Sequence, residues 1–352
     1  MDFSKAKIYL ITEEKQRLYF TGFASSAGYV AITEDKTTFV VDSRYLFAAR
    51  KRLEKKGIEV VGGRDLGAIK EIDGEVGAET IGIDFGKTTL AEFEAYKALG
   101  VGIVDVSAEI GKKMAVKSGD EIKKLEKACA IAEKSFRQAI KEIRVGMTER
   151  ELAAILEYRF RMNGASDKSF DTIVAFGPNT AVPHHETGNK RLKENMPVLM
   201  DFGCIYKGYC SDMTRTFYFG TPTPEFIRAY SAVYRAHTEA YENIRAGMKG
   251  SEADKIARDV LEKEGYGKYF THSLGHGIGV NIHEYPWVSP KSENVLEDGM
   301  IFSIEPGVYL DGKFGIRIED SEVMKDGKPH SFMKHPKYLC VLKNGKTVKF
   351  KK

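Results

Sequence analysis

The sequence has few cysteines and prolines and no long apolar run. Among its 352 residues there are 4 cysteines and 10 prolines. Four cysteines in a chain of this length, without a C-x-x-C pair, form neither a disulfide framework nor a cysteine-rich zinc site. We therefore interpret them as buried free thiols, at Cys129, Cys204, Cys210 and Cys340.

Several classes of protein are excluded by what is absent. No segment approaches the roughly 18 to 20 consecutive apolar residues that span a bilayer, and residues 1–7 lack the apolar core of a secretion signal. We therefore expect a cytoplasmic protein with no membrane partner. The net charge is only +4, which is too small and too evenly spread to indicate a nucleic-acid partner.

What is present is typical of a globular protein with two domains. Hydrophobic residues at 42% and charged residues at 30% exclude a disordered or fibrous chain. Residues 1–115 alternate short β-rich runs with helical ones, which predicts a small α/β domain. Its expected elements are strands at Thr37–Val41, Ile58–Val61 and Ile81–Phe85 and a helix at Ser43–Lys56 after Asp42. A capping-box pattern at Ser118 and Glu121 begins a long helix, so we expect the second domain at residues 116–352.

The second domain contains an internal repeat. Residues 142–165 align with 243–267, matching Gly146 with Gly247, and each copy reads as a turn followed by an amphipathic helix. Residues 196–203 align with 300–307, and both read as apolar strands that end in a carboxylate, Asp201 or Glu305. Two copies of a helix-plus-strand unit suggest a pseudo-twofold α+β layer structure that brings the two carboxylates toward a shared axis.

Acidic residues lie within or at the ends of several apolar β-type runs. They are Asp201, Asp212, Glu305 and Glu319. A buried carboxylate is costly unless it is paired or bound to a cation, and four of them together would repel one another. Two divalent cations are the simplest compensation, so the sequence predicts a dinuclear centre. Oxygen ligands with one or two imidazoles suit manganese, with cobalt or zinc as alternatives.

Histidines cluster in the sequence near these carboxylates. Of the 8 histidines, those at positions 184, 185, 272, 276 and 283 fall in two short groups. Glycines at 275, 277 and 279 exclude a stable helix, so we expect an extended strand on which His272 and His276 share a face. The expected imidazole ligand therefore comes from this segment, at His272 or His276. The glycine string is not a phosphate-binding loop, because no lysine follows it and no helix begins there.

Arg317 lies two residues before Glu319, so on a strand both side chains point the same way. The guanidinium could then orient a ligand carboxylate. An ordinary cross-strand ion pair is the alternative, and the spacing alone does not decide between the two.

The ordered set of carboxylates and histidine resembles a known family. The strings MDFG, SDMTRT, HSLGHGIG, SIEPGVY and GIRIED, which carry Asp201, Asp212, His276, Glu305 and Glu319, are similar to those of the pita-bread metallopeptidases. That family includes methionine aminopeptidase, aminopeptidase P, prolidase and creatinase. All five ligand positions are filled, over about residues 116–340. An N-terminal domain with TGFASSAGY and DSRY resembles the Xaa-Pro branch and argues against methionine aminopeptidase, which lacks that domain.

The resemblance implies a pita-bread catalytic domain, two divalent metal ions per chain and hydrolysis of the Xaa-Pro bond in proline-containing peptides. It also implies a homodimer. The branch carries a Pro-His and a His-Glu, here Pro183-His184 and His283-Glu284. The local string HHETGN at 184–189 departs from the family pattern, so the resemblance does not predict the shape of the substrate loop. The expected roles are general base for Glu305, catalysis for Arg317, oxyanion stabilisation for His184 and His283, and substrate contact for His184, His272 and His283.

The length of the substrate distinguishes two members of this branch. A dipeptidase must hold the proline carboxylate with a cation. The one cation that a motif places near the site is Arg317, and we expect it beside the ligand Glu319 rather than at the proline carboxylate. We therefore expect an Xaa-Pro aminopeptidase rather than a dipeptidase (prolidase). Arg191, Lys193 or a residue of a second subunit could still close the pocket. A creatinase-like hydrolase and a non-catalytic peptide-binding protein are further alternatives.

Overall fold

The computed structural model describes residues 1, 3–63, 66–343 and 346–350. The chain divides into two units, Met1–Met114 and Ala115–Lys352. Within the described ranges, none of the helices combines the length and the apolar character that crossing a membrane requires. All four cysteines are buried thiols outside any disulfide, as the sequence predicts.

The first unit is built on a mixed sheet. Its strands are β1 (Ile8–Ile11), β2 (Tyr29–Ile32), β3 (Thr37–Val41), β4 (Glu59–Gly62), β5 (Thr80–Ile83) and β6 (Gly102–Asp105). Its helices are α1 (Glu14–Thr21), α2 (Ser43–Leu53), α3 (Gly67–Val76), α4 (Leu90–Lys97) and α5 (Ser107–Ala115). The sheet order is β4-β3-β2-β1-β5-β6, and β1 pairs antiparallel with β2 but parallel with β5. Ile8 and Ile81 of this sheet are fully buried against Ile69 of α3, which gives the unit its own core.

The predicted elements of this unit are present with small changes at their ends. The carboxylate of Asp42 caps α2 by accepting a hydrogen bond from the backbone of Arg44. The helix ends at Leu53, and a 3-10 turn continues to Lys56. Strand β5 stops two residues earlier than predicted, because the Asp84 side chain accepts from the backbone N–H of Gly86 and starts a turn.

The second unit contains four helices among its described residues: α6 (Gly119–Ala139), α7 (Glu149–Met162), α8 (Pro224–Asn243) and α9 (Gly250–Lys263). Its strands are β7 (Asp167–Lys168), β8 (Ile173–Phe176), β9 (Met196–Phe202), β10 (Cys204–Tyr206), β11 (Tyr209–Cys210), β12 (Met213–Phe219), β13 (Gly275–Gly277), β14 (Glu284–Val288), β15 (Ile301–Ile304), β16 (Gly307–Leu310), β17 (Phe314–Arg317), β18 (Asp320–Lys325), β19 (Lys328–Ser331), β20 (Cys340–Lys343) and β21 (Lys346–Lys349). The two larger sheets have the orders β21-β20-β12-β9-β8 and β14-β13-β15-β18-β19.

The internal repeat predicted from the sequence is confirmed in the backbone. Helices α7 and α9 each have 14 residues, and each follows a glycine with positive φ, Gly146 or Gly247. The N–H of Gly146 donates to the carbonyl of Leu192, and the N–H of Gly247 donates in the same way to Leu296. The antiparallel triplet β8-β9-β12 in one copy corresponds to β13-β15-β18 in the other. Each copy has its own apolar cluster, so the unit has the expected α+β pseudo-twofold architecture.

A buried ion pair ties the start of this unit to the segment that follows β13. The ammonium of Lys117 lies 2.7 Å from Oε1 of Glu284, and the two side chains are 1% and 8% exposed. Oε2 of Glu284 accepts from the backbone of Asn281, and a Cβ on Gly279 would lie 2.1 Å from the same carboxylate. The glycine at 279 is therefore required by the close approach of Glu284, and the pair fixes the segment that carries His283.

This pair generates a stability prediction. Replacing Lys117 by Met leaves the Glu284 carboxylate buried without its partner, which is expected to lower the free energy of unfolding by about 3 to 5 kcal/mol. The double variant Lys117→Met/Glu284→Leu should recover most of the loss, because neither charge remains. Urea unfolding followed by circular dichroism measures both.

The matched control is Lys123→Met, since Lys123 pairs with Asp120 on the surface, with the side chains 78% and 87% exposed. Exposed pairs contribute little. A Lys117→Met variant that is no less stable than Lys123→Met would contradict the prediction.

Candidate active site

The five predicted ligands converge from strand ends of both repeats. Asp201 lies near the end of β9, Asp212 just before β12, and His276 in the middle of β13. Glu305 directly follows β15, and Glu319 lies between β17 and β18. All five side chains line one cavity of about 890 Å³. The carboxylates meet because an isolated antiparallel β-bridge between Thr214 and Glu319 joins the two repeats of the second unit.

The imidazole of His276 faces the carboxylates through its Nε2 atom. This atom lies 3.4 Å from Oε1 of Glu305 and 3.6 Å from Oδ2 of Asp212. Nδ1 lies 3.1 Å from the carbonyl oxygen of Gly277, so a proton on Nδ1 is assigned to that hydrogen bond and the lone pair of Nε2 faces the cluster. Ligand atoms of Asp212, His276 and Glu319 all lie within 4.8 Å of one another, as metal ligands must.

The negative charges in this cluster are only partly compensated by the protein. Burial and the charges of Asp201 and Glu305 raise the pKa of Asp212 well above its usual range. Burial, together with Asp212 and Glu305, does the same to the pKa of Glu319, and burial raises the pKa of Glu305 to about 8. Without cations, the folded protein would hold protons on these carboxylates instead.

Arg317 is the cation that lies closest to this cluster in the contacts of the described residues. Its NH2 group donates to Oδ2 of Asp201 at 2.6 Å. The spacing from Glu319 suggested a role toward a ligand carboxylate, and the geometry directs that role to Asp201 of β9. Glu319 is instead held by the hydroxyl of Thr214, at 2.6 Å from Oε2. Arg317 also donates to Thr214, Tyr309 and the carbonyl of Pro183.

The donor set fits divalent metal ions. One oxygen each of Asp201 and Asp212 is buried and has no hydrogen-bond partner in the described structure. Buried carboxylate oxygens without a donor are rare, and hard divalent cations are the partners that such oxygens bind. The four carboxylates and the Nε2 atom of His276 could together hold such ions.

A second buried cluster shows why residue type alone does not identify such a centre. His237, Asp320 and Glu322 also bring ligand atoms within 4.8 Å of one another. Here Asp320 pairs with Arg215 at 2.6 Å and with Lys337. Both cations contact Asp320, and the two buried oxygens of Glu322 have no hydrogen-bond partner in the described structure. The two positive charges still balance the two carboxylates, so no added ion is needed and we assign no metal to this cluster.

His272 lines the cavity but lies outside β13, whereas the sequence predicted a strand that includes both His272 and His276. Strand β13 has only three residues, because the backbone groups before it are bound by side chains. Asp254 accepts from the N–H of Leu274, and Arg258 donates to the carbonyl of His272. Nε2 of His272 lies 2.9 Å from the hydroxyl of Tyr309, and burial lowers the pKa of His272 to about 3. The ring is therefore neutral.

His184 and His283 are exposed and also line the cavity. The ring of His283 lies edge-on to that of His276, with centroids 4.1 Å apart. Partial burial and the neighbouring His184 lower the pKa of His283 below its usual value. His283 therefore lies beside His276 of the cluster, and His184 lies in the wall of the same cavity.

The segment that carries His184 is anchored by the buried carboxylate of Glu149, which the sequence did not point to. Its oxygens accept hydrogen bonds from the backbone of Phe176 at 2.8 Å and of Gly188 at 3.1 Å, and from the side chain of Asn179 at 2.9 Å. Nε2 of His185 lies 2.9 Å from the same carboxylate. His185 thus anchors this segment, and both His185 and its neighbour His184 line the cavity.

Other parts of the cavity wall could not be recognised from motifs. Helix α7 contributes Arg150 and Glu157, and a segment before β8 contributes Lys168 and Phe170. Lys168 pairs with Glu157 and with Asp171. Arg191 and Lys193, which the sequence offered as cations for the pocket, are not among the lining residues. The remaining wall includes Trp287 of β14.

Comparison with known proteins agrees with this geometry. Residues 123–326 match the model of Metallopeptidase family M24, and residues 1–112 match the Creatinase/Prolidase N-terminal domain. An Xaa-Pro dipeptidase of Pyrococcus furiosus is 38% identical over 88% of each chain. The structure of an Xaa-Pro dipeptidase from Bacillus anthracis superposes with a TM-score of 0.92 at 36% identity, over 97% of this chain and 96% of that one. An X-Pro aminopeptidase from Thermotoga maritima gives 0.88 at 34% identity, over 96% and 98%.

The matched family model covers the strands that carry all five clustered residues, and the relatives extend over nearly the whole chain. The resemblance seen in the sequence is confirmed, and this chain belongs to metallopeptidase family M24 as an enzyme that hydrolyses peptide bonds.

Proposed function

We propose that the protein cleaves the Xaa-Pro bond at the N-terminus of proline-containing peptides, using two divalent metal ions. The observation that carries the proposal is the cavity that brings four carboxylates together with His276, whose Nε2 atom faces Asp212 and Glu305, and the unpartnered oxygens on Asp201 and Asp212. Relatives named for Xaa-Pro hydrolysis support the substrate class. Manganese as the preferred ion, a homodimer and a cytoplasmic location stay predictions.

The ions would be held by Asp201, Asp212, His276, Glu305 and Glu319. When bound, two such ions supply Lewis acidity toward the scissile carbonyl and activate a water molecule as nucleophile. Arg317 contributes by fixing the Asp201 carboxylate, so the ligand geometry is set before any ion binds.

Glu305 is the proposed general base and proton shuttle. Its Oε1 atom accepts from the hydroxyl of Ser303 at 3.1 Å, and its backbone N–H donates to the carbonyl of Leu274. These contacts hold the carboxylate at the cavity surface. The proton it takes up must reach the leaving nitrogen, because the nitrogen of an Xaa-Pro bond carries no hydrogen and must be protonated as it departs.

The proposed role of His283 and His184 is to donate hydrogen bonds to the oxygen that becomes negative in the transition state. The pKa of His283 lies below its usual value, so near neutral pH its ring is uncharged and still carries one N–H donor. His272 is proposed to contact the substrate beside Tyr309. Donors placed where charge develops are a major source of rate enhancement.

For substrate length, we propose an aminopeptidase that accepts peptides longer than two residues. The guanidinium of Arg317 donates to Asp201, Thr214, Tyr309 and Pro183, so it is engaged with the protein rather than with a proline carboxylate. A cavity of about 890 Å³ is near the upper end of small-ligand pockets. The second candidate is a dipeptidase, favoured by the exposed Arg150 in the wall.

The metal ligands generate the first prediction of this section. Asp212→Asn removes a charge that the ions require, so metal content should fall to one ion per chain or fewer and kcat should fall by about 10²-fold or more. Mass spectrometry of metals and hydrolysis of Ala-Pro peptides measure the two effects. Asp167→Asn, an exposed aspartate outside the cavity, is the control. Two ions with full turnover in Asp212→Asn would contradict the assignment.

A variant at His283 tests the catalytic role of this residue separately from metal binding. His283→Ala should keep the metal content near that of the wild type while kcat falls by about 10²- to 10³-fold, the effect of losing one oxyanion donor. His330→Ala, which alters a histidine that does not line the cavity, should leave kcat unchanged. Metal loss in step with activity loss would instead make His283 a metal ligand.

Substrate length is tested by comparing kcat/KM for Ala-Pro and for Ala-Pro extended by two or more residues. We expect cleavage of the extended peptide at the same Ala-Pro bond, because Arg317 is engaged elsewhere. Cleavage confined to the dipeptide would favour the dipeptidase, and loss of that activity in Arg150→Ala but not in Arg161→Ala would identify the cation.

A further inference from the structure

One large side chain of the cavity wall takes no part in the chemistry described so far. Trp287 is the 1 tryptophan of the sequence, and it is 47% exposed. It pairs with His276 across strands β13 and β14. Directly paired residues of antiparallel strands project from the same face, so the indole lies on the same face as the imidazole of His276, and both side chains line the cavity.

The backbone under this indole is held in place. Its N–H donates to Oδ1 of Asn294 at 2.9 Å, and a Cβ on Gly250 would lie 2.1 Å from its carbonyl oxygen. The flanking residues Pro286 and Val288 are buried. An exposed aromatic ring on a fixed strand offers a large contact area at low cost in conformational entropy.

The direction of the peptide follows from burial. An exopeptidase that removes one residue needs a closed end for that residue and an open end for the rest of the chain. The side chains of Asp201, Asp212 and His276 are only 6% to 12% exposed, so the cluster lies at the closed end. Trp287, nearly half exposed, lies toward the open end, where the chain after proline must leave.

We propose that Trp287 packs against the residue that follows proline and makes the enzyme favour peptides with an apolar or aromatic residue there. The inference rests on the proposed Xaa-Pro activity and adds a contact beyond the scissile bond. Trp287 then determines specificity without contacting the reacting atoms, and its contribution grows when the substrate extends past proline.

The first test compares kcat/KM for Ala-Pro-Leu and Ala-Pro in the metal-loaded enzyme. Trp287→Ala should lower the value for Ala-Pro-Leu by about tenfold or more, mainly through KM, and the value for Ala-Pro by less than about threefold. Trp287→Phe should restore most of the loss. Equal losses on both peptides at unchanged metal content, or no loss on either, would overturn the proposal.

Tyr234→Ala is the matched control, because Tyr234 is an exposed aromatic residue, at 36%, on α8 and outside the cavity. It should leave the ratio of the two kcat/KM values unchanged, and a similar drop in this variant would overturn the assignment to Trp287.

A second readout separates this inference from the proposed function. Because the sequence has 1 tryptophan, its fluorescence reports on this site alone. Mixing the metal-loaded wild type with Ala-Pro-Leu in a stopped-flow instrument should change the emission within the first turnover, and more than Ala-Pro does. If neither peptide is hydrolysed, the proposed function fails, while the emission change still decides whether a peptide reaches Trp287. No difference between the two peptides would overturn the inference.

Discussion

Repulsion among carboxylates held together in a buried cavity is the constraint on which the active site depends. The fold brings Asp201, Asp212, Glu305 and Glu319 to one place, and protein cations compensate only part of their charge. Burial and the neighbouring carboxylates raise the pKa of Asp212, Glu305 and Glu319, so these three groups would hold protons in the absence of added cations. The strands of both repeats therefore support an arrangement that is unfavourable without cations and becomes favourable when they bind.

The internal repeat explains how a chain can impose that arrangement. Each copy packs a pair of helices on an antiparallel triplet and has its own apolar cluster, so each is a rigid support. The clustered carboxylates and His276 come from strand ends of both copies and meet where Thr214 pairs with Glu319. All five ligand-type residues are present, which gives no support to the non-catalytic alternative, and the M24 match with peptidase relatives agrees.

The sequence could predict what depends on local pattern. Carboxylates at the ends of apolar runs, the repeated turn and helix, and the capping box at Ser118 are all visible in one dimension, and the structure contains them. It could not predict contacts between distant segments. The pairing of Arg317 with Asp201, the hydroxyl of Tyr309 on His272 and the four contacts of Glu149 depend on tertiary packing. The sequence also predicted a strand that includes His272. The observed strand begins only at Gly275, because Asp254 and Arg258 bind the backbone of Leu274 and His272.

The anchoring of the segment after β8 has a consequence for engineering. Glu149 binds that segment from the interior, through the backbone of Phe176 and Gly188 and the side chain of Asn179. Its conformation therefore depends little on the side chains that project outward from it, such as Glu186, which is exposed at the cavity. A substitution at Glu186 would change the cavity wall without breaking the hydrogen bonds of Glu149 that hold the segment. This position is therefore suitable for changing which peptides the enzyme accepts.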